Sequence, residues 1–259
     1  MPDLEVWVFV ALLCAAFAAG WLDAIGGGGG LIQLPALLIA LPADATALAL
    51  GTNKVSSIVG TSAAARNYAR QIQPDPKLLK PMMLGAFIGS LSGTLIAVSL
   101  NPQVFRPIIF VVLCVMWVVT LRIQVKGEER IQKDHWGSQL SFLAAFGIGF
   151  YDGAIGPGTG IFLILLLVLH YGLSFLQASG TAKFINIATN FASILVFGIT
   201  GNIWWLLGAL MAVSNLAGGI VGSRLAIKRG SGFVRRFLLW AIGLILLRLG
   251  LEFLGIFNL

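Results

Sequence analysis

The chain has 259 residues, of which 58% are hydrophobic and only 10% are charged, and its formal net charge is +7. Because an average soluble domain carries about 25% charged residues, this composition argues against a water-soluble enzyme, a nucleic-acid-binding protein and a disordered chain. Basic residues clustered between apolar runs indicate instead an all-α, polytopic protein in a lipid bilayer.

Ten apolar segments follow one another along the chain. A helix that spans a membrane needs about 20 apolar residues, and eight segments approach that length: 4–25, 43–65, 81–101, 103–122, 139–155, 174–200, 203–223 and 236–257. Segments 31–41 and 161–171 are much shorter, and each follows a glycine-rich break. At about 1.5 Å per residue they reach roughly half-way across the hydrocarbon layer. We therefore predict about eight spanning helices and two short broken or re-entrant helices.

The basic residues predict the topology. Thirteen of the 17 lie in three loops, at residues 66–80, 122–133 and 224–236. By the positive-inside rule these loops are cytoplasmic, which places both termini outside. The expected location is the inner (plasma) membrane of a bacterium.

The two halves of the chain repeat each other at a constant offset of half the chain length. Gly51-Thr-Asn-Lys54 matches Gly180-Thr-Ala-Lys183, and with a one-residue shift the run Gly26–Gly30 matches Gly156–Gly160. The loop after the first Lys-bearing segment is basic, whereas the loop after the second is uncharged, so the halves should insert with opposite orientation. We predict two inverted repeats, 1–125 and 139–259, joined by a cytoplasmic linker, 126–138. Such repeats with broken helices are typical of secondary transporters.

The glycine breaks predict an anion site. Each glycine costs about 1 kcal/mol relative to Ala in a helix, and unpaired backbone groups are not tolerated against lipid. Each break must therefore line protein or a wet cavity, where the next short helix points its free N–H groups and positive dipole end inward. Two such ends converging near the midplane form an anion site. The predicted residues are Gly28, Gly29, Gly30, Gly158, Thr159 and Gly160, with the Thr159 hydroxyl as an additional donor.

Small residues have a second interpretation, which is close packing of helices. This interpretation suits Gly89-x-x-x-Gly93 and Gly218-x-x-x-Gly222 well, because their spacing is helical. It suits the run of five glycines poorly.

Lys54 and Lys183 each lie about 10 residues inside an apolar segment, where a charge costs about 2.5–3.5 kcal/mol. Their equivalent positions in the two halves favour a function, either binding of an anion or loss of a proton during the cycle. The alternative is structural pairing with Asp23, Asp44 or Asp152. Neutral donors that suit an oxyanion surround the lysines, although some should be ordinary interhelical hydrogen bonds: Thr52, Asn53, Ser56, Ser57, Thr181, Asn186, Thr189 and Asn190.

Asp23 and Asp152 lie just before the two breaks. Either they cap helices or they carry coupling protons, because an ionised, unpaired carboxylate would repel an anion. The sequence shows no cluster with metal-ligand spacing and no arrangement of a nucleophile and a base. We expect no metal, no cofactor and no enzymatic activity.

These motifs resemble the TauE/SafE family of membrane transporters, which covers sulfite and organosulfonate exporters. The resemblance rests on the glycine-rich stretch from Gly20 to Gly30 followed by Pro35, its second copy from Gly149 to Gly160, and both Gly-Thr-x-Lys motifs. It implies movement of small sulfur oxyanions or organic anions across a bacterial inner membrane. Pro157 and the absence of a second proline like Pro35 depart from strict symmetry.

The sequence therefore predicts a secondary transporter of a small anion such as sulfite or a sulfonate, with proton coupling as the expected driving force. The site would lie between the repeats near the midplane. A passive anion channel is the main alternative; an intramembrane enzyme and a structural subunit of a larger complex are weaker ones. The expected partners are the anion and the lipid bilayer, with no nucleic acid, and the small-residue helices suit a homodimer.

Overall fold

The computed structural model describes residues 5–42, 45–98 and 137–253, and regular secondary structure in these ranges is helical throughout. The predicted segment 103–122 and most of the predicted linker 126–138 lie outside the described residues. The described ranges contain eight helices: α1 (Val6–Gly26), α2 (Gly30–Ala40), α3 (Thr46–Ala69), α4 (Pro76–Ala97), α5 (Ser138–Ala154), α6 (Thr159–Tyr171), α7 (Phe175–Ile199) and α8 (Trp205–Phe253). Helix α8 consists of two arms that meet at Gly230. The predicted all-α fold is confirmed.

Within the described residues, four helices are long and apolar enough to cross a membrane: α1, α4, α7 and the part Trp205–Trp240 of α8. Helix α3 has 24 residues but is less apolar, because its inward face carries polar side chains such as the buried Thr52 and Lys54. Large apolar side chains such as Ile199 and Trp240 are exposed instead. Apolar side chains outside and polar ones inside are what a bilayer environment requires.

The two short helices fold back along the helices that precede them. At the end of α6, the Tyr171 hydroxyl donates a hydrogen bond to Ser141, near the start of α5, over 2.8 Å. At the end of α2, Leu37 and Leu41 pack in one apolar cluster with Leu12 of α1. Helices α1–α2 and α5–α6 are therefore two hairpins whose turns are the glycine breaks.

The helices of the two halves begin at matching positions. The starts of α2 and α6, of α3 and α7, and of α4 and α8 are all separated by the same offset that relates Lys54 to Lys183. The breaks therefore align without the one-residue shift that we inferred from the glycine run. The first helix of each half packs against the fourth helix of the other, α1 on α8 and α5 on α4.

Glycines form the contacts between these helices. A β-carbon at Gly89 would overlap the carbonyl oxygen of Phe146, and one at Gly218 would overlap that of Phe17. The small-residue motifs of α4 and α8 therefore bring backbones together, as the packing interpretation predicts.

Replacing Gly89 by Ala should push α4 away from α5 and lower the free energy of unfolding by about 1–3 kcal/mol. Gly147 of α5 is the matched control, because a β-carbon there would meet nothing within 4 Å. We expect Gly147→Ala to be neutral or slightly stabilising. Thermal unfolding of both variants in detergent measures the difference, and equal melting temperatures would refute the packing role of Gly89.

Candidate functional site

The two glycine breaks contact each other in the interior of the protein. Helix α1 ends at Gly26, and Gly27 turns the chain with φ of 78°. A β-carbon at Gly27 would lie only 2.5 Å from the Cα of Gly160, and one at Gly30 would lie 3.3 Å from the Cα of Pro157. The starts of both short helices therefore meet at one place, as the sequence predicts.

A cavity of about 390 Å³, counting its open mouth, lies at this meeting point. In the described part of the chain only glycines and polar residues line it: Asp23, Gly27, Gly29, Gly30, Asn53, Lys54, Ser57, Thr61, Asp152, Gly156, Gly158, Thr159, Gly160, Asn186, Asn190 and Asn215. No hydrocarbon side chain is among them. Such a lining suits a small polar solute.

The starts of α2 and α6 contribute positive partial charge to the cavity. Their N-cap residues, Gly29 and Gly158, have no side chain that could cap the first N–H groups, and neither helix has an acidic residue in its first turn. Some first-turn N–H groups, such as those of Leu31 and Ile161, bond to carbonyl groups of their own turns, but the positive end of each helix dipole faces the ligand site. Such helix starts are suited to binding anions.

Lys54 of α3 forms an ion pair with Asp152 of α5. Its Nζ lies 2.7 Å from Oδ2 of Asp152 and donates a hydrogen bond to the Asp152 carbonyl oxygen over 2.9 Å. The two side chains are only 3% and 4% exposed. A lysine of the first half is therefore paired with an aspartate of the second.

Lys183 of α7 makes the reciprocal pair with Asp23 of α1. Its Nζ lies 3.0 Å from Oδ2 of Asp23 and also donates to the Asp23 carbonyl oxygen. Lys183 is fully buried, whereas the Asp23 side chain is 16% exposed. Both pairs match the pairing alternative that the sequence left open, whereas Asp44 lies outside the described residues.

Each carboxylate also accepts a hydrogen bond from a threonine. Thr61 donates to Oδ2 of Asp23 over 3.1 Å, and Thr159 donates to Oδ1 of Asp152 over 2.7 Å. Thr159 lies within hydrogen-bond distance of the Gly156 carbonyl as well. In the described conformation the Thr159 hydroxyl is therefore engaged by Asp152 and Gly156, and its role as a donor to an anion stays a prediction.

An amide cluster completes the lining. Oδ1 of Asn186 accepts a hydrogen bond from Nδ2 of Asn190 over 2.7 Å. Asn215 of α8 donates to the fully buried Gln33 over 2.7 Å. Oδ1 of Asn53 is buried and has no hydrogen-bond partner among the residues that the structure describes.

Six residues of the predicted set do not line the cavity: Gly28, Thr52, Ser56, Thr181, Lys183 and Thr189. The Thr52 hydroxyl accepts a hydrogen bond from the backbone N–H of Trp204 over 3.0 Å, so its role is interhelical packing. A β-carbon at Gly28 would point to the side chain of Leu22, 2.7 Å away, and Thr181 is buried. Lys183 contacts the site through its ion pair with Asp23. The remaining residues predicted for the site come together as expected.

The sequence interpretation missed Thr61 and Asn215. Thr61 matches Asn190 at the offset of the repeat, so comparing the two halves position by position would have found it. Asn215 has Ala86 at its matching position. The only sign of Asn215 in the sequence is a polar amide side chain within an apolar segment.

Comparison with known proteins gives one consistent family. The family model described as sulfite exporter TauE/SafE matches residues 12–249. A probable membrane transporter protein, ORF9, of Sinorhizobium sp is 34% identical over 241 residues, covering 92% of this chain and 90% of the relative. The probable membrane transporter protein YfcA of Escherichia coli K12 is 33% identical over 232 residues, covering 90% and 84%. No solved structure matches the chain.

Proposed function

The chain belongs to the TauE/SafE family of membrane transporters, and from this premise we propose that it is a secondary transporter that moves a small anion across the bacterial inner membrane. One observation carries the proposal: two helix starts and the buried Lys54 surround a single polar cavity. The family description points to sulfite or a related sulfur oxyanion as the substrate.

The charges of the site support an anion that competes with a carboxylate. Lys54 and the two helix starts attract a negative solute, but Asp152 already neutralises Lys54. An anion can therefore bind fully only when the carboxylate is displaced or protonated. This requirement is our reason to propose proton coupling.

The packing of the halves supports alternating access. Each half contributes one glycine break, one buried lysine and one aspartate, and each lysine pairs across to the other half. Rocking of one repeat against the other would separate and re-form these contacts around the substrate. Proton-driven accumulation of the anion in liposomes would distinguish this cycle from a passive channel, which moves the anion only down its gradient.

Binding of a small oxyanion to the purified protein is the direct test. We expect one or more of sulfite, thiosulfate and sulfate to raise the melting temperature, since a ligand at one hundred times its Kd adds about 2.7 kcal/mol of stability. Lys54→Ala should remove the shift, and Gly147→Ala should keep it, because Gly147 is not among the residues that line the cavity. The proposed function would be abandoned if no oxyanion, sulfonate or carboxylate in such a screen stabilised the wild type.

A further inference from the structure

The two ion pairs differ in their access to the cavity. Lys54 and Asp152 both line it, whereas in the second pair only Asp23 does. Lys183 is fully buried behind Asp23. An incoming anion can therefore reach the ammonium group of Lys54 but not that of Lys183.

Asp152 uses donors that an anion would need. Its Oδ2 lies 2.7 Å from the Nζ of Lys54, and its Oδ1 accepts from Thr159, the first residue of α6. An oxyanion at the start of α6 would need the same ammonium group and the same hydroxyl. The carboxylate thus takes the place of two substrate oxygens.

We propose that Asp152 is an internal stand-in for the substrate, whose protonation admits the anion, so that one proton and one anion travel together. This inference rests on the proposed function and makes it an anion–proton symporter. Asp23 does not have this role in the described conformation, because protonating it would free only a lysine that the anion cannot reach.

The step balances in charge and protons. A proton from water at the cavity mouth adds to a carboxylate oxygen of Asp152, and the ion pair with Lys54 breaks. Lys54 keeps its proton and binds the anion, while Thr159 turns its hydroxyl to it. For a monovalent anion, the net charge of the site is the same before and after loading.

Few other ionisable groups surround Asp152. Lys54 of α3 and Asp23 of α1 share the cavity with it, Lys183 of α7 lies behind Asp23, and Tyr151 precedes it on α5. In the described ranges, α2, α4, α6 and α8 bring no ionisable side chain to the cavity. A proton taken up when the anion binds therefore has two carboxylates as candidates, and substitution separates them.

The experiment measures proton uptake when sulfite, thiosulfate or sulfate is added to weakly buffered, purified protein. We expect about one proton per bound anion for the wild type, and the same ratio in whatever anion binding Asp23→Asn retains, because Asp152 is unchanged there. Asp152→Asn should take up none and bind the anion about ten- to a hundredfold more tightly, because its competitor is gone. In liposomes, inward movement of the anion should acidify the lumen with the wild type and not with Asp152→Asn.

Infrared difference spectra keep the test decisive if Asp152→Asn does not fold. A band of a protonated carboxyl group should appear on anion binding in the wild type and persist in Asp23→Asn. Loss of that band in Asp23→Asn, unchanged proton uptake in Asp152→Asn, or proton movement opposite to the anion would overturn the inference while leaving an anion transporter. Absence of any anion binding by the wild type would overturn the proposed function as well.

Discussion

Lys183→Ala is expected to abolish transport and to lower the free energy of unfolding by about 3–5 kcal/mol, the usual cost of removing one partner of a buried ion pair. Lys183 is fully buried, and its Nζ donates to both the carboxylate and the carbonyl oxygen of Asp23. Without the lysine, the hydrogen bond from the Thr61 hydroxyl is the remaining side-chain contact of the Asp23 carboxylate among the described residues. Chemical unfolding in detergent and uptake into liposomes measure the two effects separately.

The double variant Lys183→Ala/Asp23→Asn separates folding from function. Removing both charges leaves no unpaired ion, so most of the lost unfolding free energy should return. Transport should not return, because the cycle that we propose needs a lysine in each half. If the double variant transported the anion, Lys183 would be only a structural residue.

Lys54→Ala provides the comparison within the same protein. The substitution leaves Asp152 with the hydrogen bond from Thr159 and an exposed fraction of only 4%, compared with 16% for Asp23. We therefore expect a loss of stability at least as large as for Lys183→Ala, together with a complete loss of anion binding, because Lys54 is the lysine that lines the cavity. Anion binding by Lys54→Ala would contradict the role of Lys54 in the site.

The helices and their breaks are predictable because their causes are local. Apolar length sets α1, α4 and α7, and the run Gly26–Gly30 cannot continue a helix. The duplication is a second basis for prediction, because one constant offset aligns the starts of α2, α3 and α4 with those of α6, α7 and α8. Repeat equivalence also identifies Lys54 and Lys183 as a related pair.

The sequence named the candidate aspartates, but which of them pairs with which lysine was not predictable, because that choice depends on how the halves pack. Lys54 and Asp152 are 98 residues apart in sequence, and no pattern within either half specifies that contact. The duplication shows only that Asp23 and Asp152 are equivalent, which allows pairing within a half as well as across. For the same reason the hydrogen-bond partner of the Thr159 hydroxyl was not predictable, since it depends on where Asp152 lies.

Access to the cavity departs from the symmetry of the sequence. Both halves contribute a lysine and an aspartate. Both aspartates line the cavity, but of the two lysines only Lys54 does. Asn215 donates to Gln33 at the start of α2, whereas the matching positions in the other half are Ala86 and Phe162, which cannot form such a bond. The two half-sites are therefore unequal, as the departures at Pro157 and Pro35 already indicated.

Gly160→Ala is expected to remove most of the transport activity by separating the two breaks. Gly160 has an ordinary helical backbone, but a β-carbon there would overlap the backbone of Gly27. The breaks would have to move apart, and the site that both helix starts share would open. Overpacking of this kind costs about 1–3 kcal/mol, and we expect a lower melting temperature together with weaker anion binding.

Substitutions at two further glycines separate the effect of backbone strain from the effect of a clash between the two breaks. Gly201 has φ of 73° and open space around it, so Gly201→Ala introduces only the backbone strain of a left-handed residue, about 1–2 kcal/mol. Gly27→Ala introduces the same strain, at φ of 78°, and a clash with Gly160 in addition. We expect Gly201→Ala to transport normally, Gly160→Ala to fail through contact alone, and Gly27→Ala to be the least stable of the three. Normal transport by Gly160→Ala would mean that the anion does not need both helix starts at one place, and the site would then belong to a single half.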